Sequence, residues 1–186
     1  ITSWGDLMRP EFKDRIILSD DVRDVVGFAL KLNGKSMNSR NEAEIKEAFD
    51  FLNKLKPAVR VFDVTAAKQA FISEEVAIGI IWNGDAYIAI EENPDLAFVY
   101  PREGAVLWID NFAIPKGAEH KDNAHKFIDF MLRPENAALV VEEFKYSTPN
   151  QEVKSYLPEE LRDSRLIFPT AEDLKNSEVT MGVGEA

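Results

Sequence analysis

Trp108 and Asp110 stand two residues apart within the apolar run 106–114 of a 186-residue chain. If that run is a strand, indole and carboxylate share one face, with Cα atoms roughly 7 Å apart. Such a pair suits an organic ammonium ion: the ring face offers a cation–π contact and the acid offers charge-assisted hydrogen bonds. An internal ion pair would use the same carboxylate, because a buried acid needs a cationic or hydrogen-bonding partner. Spacing alone leaves both readings open. Asp20-Asp21-Val22-Arg23-Asp24 puts three more carboxylates where a short apolar run, Ile16-Ile17-Leu18, gives way to a helical pattern. Asp21 and Asp24 are three apart, so they lie on one side of a first helical turn. In an α/β sheet that junction is the carboxyl edge of the strand, where ligands bind. Acids there also cap free N–H groups and favour the helix dipole without any ligand. Trp82 closes the apolar run 76–82 just before Asn83-Gly84-Asp85, a second strand-to-helix junction. A ring at that mouth is either a pocket wall or a core aromatic.

Catalytic signatures are missing. The chain has no GxSxG elbow, no HExxH and no phosphate-cradling glycine loop. With no cysteine and only His120 and His125, thiolate chemistry is excluded and a histidine-rich metal site is not expected, nor is any cofactor. The two histidines fall at a charged stretch, Glu119-His120-Lys121-Asp122, that reads as solvated surface. A carboxylate-dependent hydrolase would need an acid–nucleophile pair, and nothing marks one out. The 33 acidic against 22 basic residues give a formal net charge of −11, the wrong sign for a nucleic-acid binder. That balance is compatible with a cationic ligand, although acidic surfaces also serve solubility alone. No window approaches the ~18 apolar residues of a membrane span. The chain begins at Ile1 without a signal-peptide pattern, as expected of a processed protein or an excised piece of one.

These residues need a frame. Trp4, Leu7 and Met8 are spaced for one short helical turn. Ile16-Ile17-Leu18 reads as a strand, and Val22, Val25, Val26, Ala29 and Leu30 as the helix after it. Asn41 is an N-cap candidate for a helix reaching Pro57. Strands are expected at 59–62, 76–82, 96–100 and 106–114. Helices are expected at 66–72, after Asn83, from Lys121, and from Pro134 to Phe144. Short helices follow around 153–156, 158–162 and 171–174, and residues 182–186 look loose. Short apolar strands alternating with helices indicate one α/β domain with helices on both faces of one sheet, a three-layer sandwich.

Several segments, in order, carry a further likeness: Leu18-Ser19-Asp20-Asp21-Val22-Arg23-Asp24, Ile80-Ile81-Trp82-Asn83-Gly84, Trp108-Ile109-Asp110, Phe130-Met131-Leu132-Arg133-Pro134 and Tyr146-Ser147-Thr148-Pro149-Asn150. Together with Thr2-Ser3-Trp4, Ala113-Ile114-Pro115 and Leu174-Lys175-Asn176, they span nearly the whole chain. The ordered set resembles the second lobe of the bacterial periplasmic spermidine/putrescine-binding proteins of ABC importers. The resemblance implies one lobe of a type II solute-binding fold, a periplasmic location, and a polyamine delivered to a membrane permease. It implies that Asp21 and Asp24 grip an ammonium group and that Trp82 and Trp108 flank the methylene chain. Asp110 would take an amine and Tyr146 would line the same cleft. Where the family often has a glutamine, a gapless count gives Thr180, whose hydroxyl reaches less far, so preference among polyamines is left open. A first lobe before Ile1 and a closing helical tail after Ala186 are implied as well. Alternatives are a binding protein for another small solute, a carboxylate-dependent hydrolase, and an interaction domain without a small ligand.

Overall fold

The computed structural model describes residues 1–182; the remainder of the loose tail, 183–186, lies outside the described residues. The chain parts into two compact units. Residues 1–108 with the segment from 170 onward form the first, and Ile109–Pro169 forms the second.

In the first unit three short parallel strands, β1 (Ile16–Leu18), β2 (Val59–Phe62) and β3 (Ile78–Gly79), pair in the order β2-β1-β3. All three residues of β1 are buried, and their alternation assigns them to opposite faces. Ile16 and Leu18 pack with Phe28, Leu30 and Leu55 from helices α1 (Val22–Leu32) and α2 (Glu42–Leu55). Ile17 packs on the other side with Ala67, Ala70 and Phe71 of α3 (Ala67–Ile72). Helices therefore cover both faces, the α/β sandwich expected. Helix α4 (Asn83–Glu92) follows β3 and packs against α3. A 3-10 turn, Trp4–Met8, is capped by Ser3 and stacks Trp4 on Phe28, ring centroids 5.0 Å apart.

The expected strands shrink wherever a partner is missing. Of 76–82 only Ile78–Gly79 is paired, because β1 is three residues long and Trp82 already caps α4. Residues 96–100 form no strand. Of 106–114 only Val106–Leu107 (β4) is a strand. Its parallel partner is β5 (Glu178–Val179), which the sequence pattern does not announce. The parallel strands thus fall into two sheets, of three and two strands, rather than one. Residues 171–174 form successive turns, not a helix.

Gly104 makes the β4–β5 pairing possible. Its φ of +103° is left-handed, and a Cβ there would overlap the Asn176 carbonyl. Trp4 Nε1 donates to the Gly104 oxygen at 2.9 Å, which ties the start of the chain to the same turn.

The second unit holds α5 (Lys121–Leu132), α6 (Pro134–Phe144), a 3-10 helix at Gln151–Tyr156 and α7 (Glu159–Arg162). Ala137, Ala138 and Val141 of α6 are buried, as are Val153, Leu161 and Ile167, and α6 packs on the 3-10 helix and on α5. Helix α5 buries none of its residues.

Candidate functional site

In the first unit every candidate residue follows the carboxyl end of a parallel strand. Asp21 and Asp24 follow β1, Trp82 follows β3, Trp108 follows β4 and Thr180 follows β5. In the order β2-β1-β3 the chain turns to opposite sides of β1, so the topological switch point lies between β1 and β3. Open α/β sheets bind ligands outside the strands' carboxyl ends at such a point. The acid turn stands on one side of it and Trp82 on the other.

The two acids of α1 differ in work. Asp21 is exposed and is the N-cap, its Oδ1 accepting from Arg23 N at 2.7 Å. Capping is thus a role that Asp21 has in the fold itself. Asp24 is half-buried and accepts one hydrogen bond, from the Ser19 hydroxyl at 3.2 Å. Burial, with the Asp21 charge beside it, holds the Asp24 carboxyl above the usual aspartate range. Asp24 makes no ion pair among the described residues. Ser19 is fully buried, receives the Asp21 N–H at 3.0 Å and so fixes both acids. Sequence reasoning passed over Ser19, since a small hydroxyl between an apolar run and an aspartate carries no signal of burial.

Trp82 is half-buried, and its ring lies 6.4 Å from that of Trp108, the planes tilted by 49°. Trp108 is 45% exposed. Two indoles at this separation and tilt offer faces to an elongated apolar or cationic group. Thr180 N donates to Leu107 O at 3.2 Å, which sets Thr180 beside the residue preceding Trp108. Beneath it, Glu178 of β5 binds the buried Lys31 of α1 at 2.7 Å and the Ser36 hydroxyl at 2.5 Å. Burial of Glu178 opposes ionisation, but the bonds from Lys31 and Ser36 outweigh it and hold the carboxyl below the ordinary range.

The expectation that Trp108 and Asp110 share a strand face is corrected. The strand ends at Leu107 because β5 is only two residues long, and Trp108 and Asp110 fall in different units. Within the second unit Asp110 is exposed, and Asn111 beside it folds its amide back onto Ile109 O at 2.8 Å. Tyr146 is half-buried and follows Lys145, whose φ of +60° ends α6 in the left-handed region. Among the described residues no group of acids and histidines is placed to hold a metal ion, and no helix is long and apolar enough to cross a membrane.

Strand-end ligand geometry in an α/β lobe is shared by many proteins; the family decides among them. The family described as bacterial extracellular solute-binding protein matches residues 1–168. The chain belongs to that family. It is 42% identical over 185 residues to the spermidine/putrescine-binding periplasmic protein 1 of Haemophilus influenzae, covering all of this chain and 51% of that protein. It is 39% identical over 186 residues to the spermidine/putrescine-binding periplasmic protein of Escherichia coli, again with all of this chain and 53% of the relative. Among solved structures it resembles the spermidine/putrescine ABC transporter substrate-binding protein PotD from Streptococcus pneumoniae, with a TM-score of 0.85 and 38% identity over 98% of this chain and 56% of that one. The chain therefore spans about half the length of the relatives it matches. Within this solute-binding family, the α/β lobe and its parallel sheet are those of a type II binding fold.

Proposed function

We propose that this chain supplies one wall of the ligand cleft of a periplasmic polyamine-binding protein, which captures spermidine or putrescine and hands it to an ABC permease. The missing first lobe of the same protein supplies the other wall. The protein binds and releases its ligand and performs no catalysis. Asp24 carries this reading: a half-buried carboxylate, packed among acids, that lacks an ion pair among the described residues and sits at the switch point of an α/β lobe. An ammonium group relieves that repulsion, and the Trp82–Trp108 pair suits the methylenes between two ammonium centres. Asp21, beside Asp24, contributes charge while capping α1. Thr180 adds a hydroxyl. Asp110 and Tyr146 enter the proposal from the resemblance alone.

Calorimetry on the two-lobed protein with spermidine, putrescine and a neutral sugar tests this directly. Polyamine binding that weakens with added salt is expected. Asp110→Asn is expected to cost about 2–5 kcal/mol of binding, because a desolvated ammonium loses its counter-charge. Sugar binding without polyamine binding would overturn the ligand class, and unchanged affinity in the Asp110 variant would remove that residue from the site.

A further inference from the structure

Thr180 directly follows the two-residue strand β5, yet the backbone around it is held from both sides. Its own N–H goes to Leu107 O. On the other edge, one side chain serves both neighbours. Asn38 Nδ2 donates to Val179 O at 3.0 Å, and Asn38 Oδ1 accepts from Met181 N at 2.9 Å. In an extended chain the carbonyl of one residue and the N–H two residues on point the same way, while the N–H between them points oppositely. The Asn38 amide therefore stands in for one residue of a missing neighbouring strand. It is half-buried and steadied by Ser36, whose hydroxyl accepts from Asn38 N at 3.1 Å. Arg23 completes the clasp, its Nη2 donating to Asn38 Oδ1 at 3.3 Å and to Met181 O at 3.0 Å. Arg23 lies between Asp21 and Asp24 in the first turn of α1, so the acid turn and the Thr180 strand meet on the same two side chains.

We infer that Asn38 is a positioning residue that, with Arg23, fixes Thr180 relative to Asp21 and Asp24 and thereby sets the preference between polyamines of different length. It touches no ligand itself. A polyamine is a chain of ammonium groups at fixed intervals, so a hydroxyl held at one distance from an acid pair favours one length over another. Loss of the bracket frees Val179–Met181 on one edge, and the hydroxyl no longer selects. This inference rests on the polyamine reading above.

The test uses the full two-lobed protein with Asn38→Ala and Asn38→Asp, and Ser177→Ala as the control that loosens the β4–β5 ladder, by losing the Ala105 N–Ser177 Oγ bond at 2.9 Å, without touching the bracket. Asn38→Asp keeps the acceptor for Met181 N and Arg23 but sets a carboxylate oxygen against the Val179 carbonyl, so it opens the bracket on that side while keeping the side chain's shape should the alanine form fail to fold. Amide exchange at Met181 is expected to rise about tenfold in Asn38→Ala, with the Thr180 amide less affected. The ratio of spermidine to putrescine affinity is expected to move about fivefold toward unity, the effect of misplacing one hydrogen bond, and in the same direction in Asn38→Asp. Ser177→Ala is expected to lower the melting temperature while leaving the ratio in place. A wild-type protein that binds neither polyamine overturns the polyamine reading together with this inference. Wild-type binding with an unchanged ratio in both Asn38 variants overturns this inference alone. So does a ratio that moves equally in Ser177→Ala, because the effect is then general loosening.

Discussion

At the scale of single residues the acid turn after β1 combines a cap that favours folding with a carboxyl that opposes it, and on the proposed function the second is kept for binding. Asp21 stabilises α1 by capping it, whereas Asp24 sits where burial and its neighbour's charge resist ionisation. A carboxyl whose native value is raised binds protons more tightly folded than unfolded, so its effect on stability worsens with rising pH. Asp24→Asn keeps an acceptor for the Ser19 hydroxyl and removes the charge. It is expected to stabilise the free protein at pH 7 by no more than about 1 kcal/mol, since a half-exposed group is screened by solvent. The gain should vanish below the ordinary aspartate range and be complete above the raised value. Thermal melts of both forms from pH 3 to pH 8 measure it; a variant less stable at pH 7 would show that Asp24 is already compensated in the free protein. The same substitution should weaken polyamine binding, so stability and affinity move in opposite directions. Asp21 was visible in the sequence as both cap and ligand candidate, and both roles suit its position. Ser19 and Asn38 were not visible, because each acts through partners that only the fold brings near.

At the scale of elements, the longer helices and the strands β1 and β2 are legible in the sequence, and the remaining strands and the short helix expected at 171–174 are not. Helices α1, α2, α4, α5 and α6 lie where periodicity and capping residues put them, since their hydrogen bonds are local. A strand is defined by its neighbour. Apolar runs at 76–82, 96–100 and 106–114 were read as strands on composition, but pairing ends when the partner ends. The pairing of Glu178–Val179 is invisible because two residues carry no alternation. What holds that short ladder is backbone shape as much as hydrogen bonding, and Gly104 supplies the shape. Gly104→Ala places a methyl against the Asn176 carbonyl in a backbone region that disfavours side chains. It is expected to destabilise the fold by about 1–3 kcal/mol. Denaturant titration gives the loss, and amide exchange should locate it at Ser177–Thr180. An alanine variant as stable as the wild type would mean the turn can re-form without left-handed geometry.

At the scale of the whole molecule, a net charge of −11 attracts polycations, yet one wall of a cleft holds them weakly. An exposed aromatic–ammonium contact contributes roughly 0.5–1 kcal/mol, and an exposed carboxylate–ammonium pair ~0–1. Set against an association cost of ~4 kcal/mol or more, this chain by itself is expected to show no heat of binding with sub-millimolar spermidine. Micromolar binding by the lone chain, read by calorimetry, would mean that it encloses its ligand unaided. Restoring the first lobe should recover binding if closure is the missing contribution. The β4–β5 pairing also has a consequence in time. Ala105 and Ser177 meet across 72 residues, a loop little longer than the one that Ile16 and Ile78 close in the three-stranded sheet, so the two closures cost nearly the same entropy and differ mainly in when synthesis allows them. During synthesis the acid turn and Trp82 can be in place well before the segment bearing Thr180 leaves the ribosome. The hydroxyl proposed to distinguish one polyamine from another is then the last of the proposed site residues to arrive, so on that proposal a nascent chain passes through a stage at which it has charge and aromatic rings but no means of choosing.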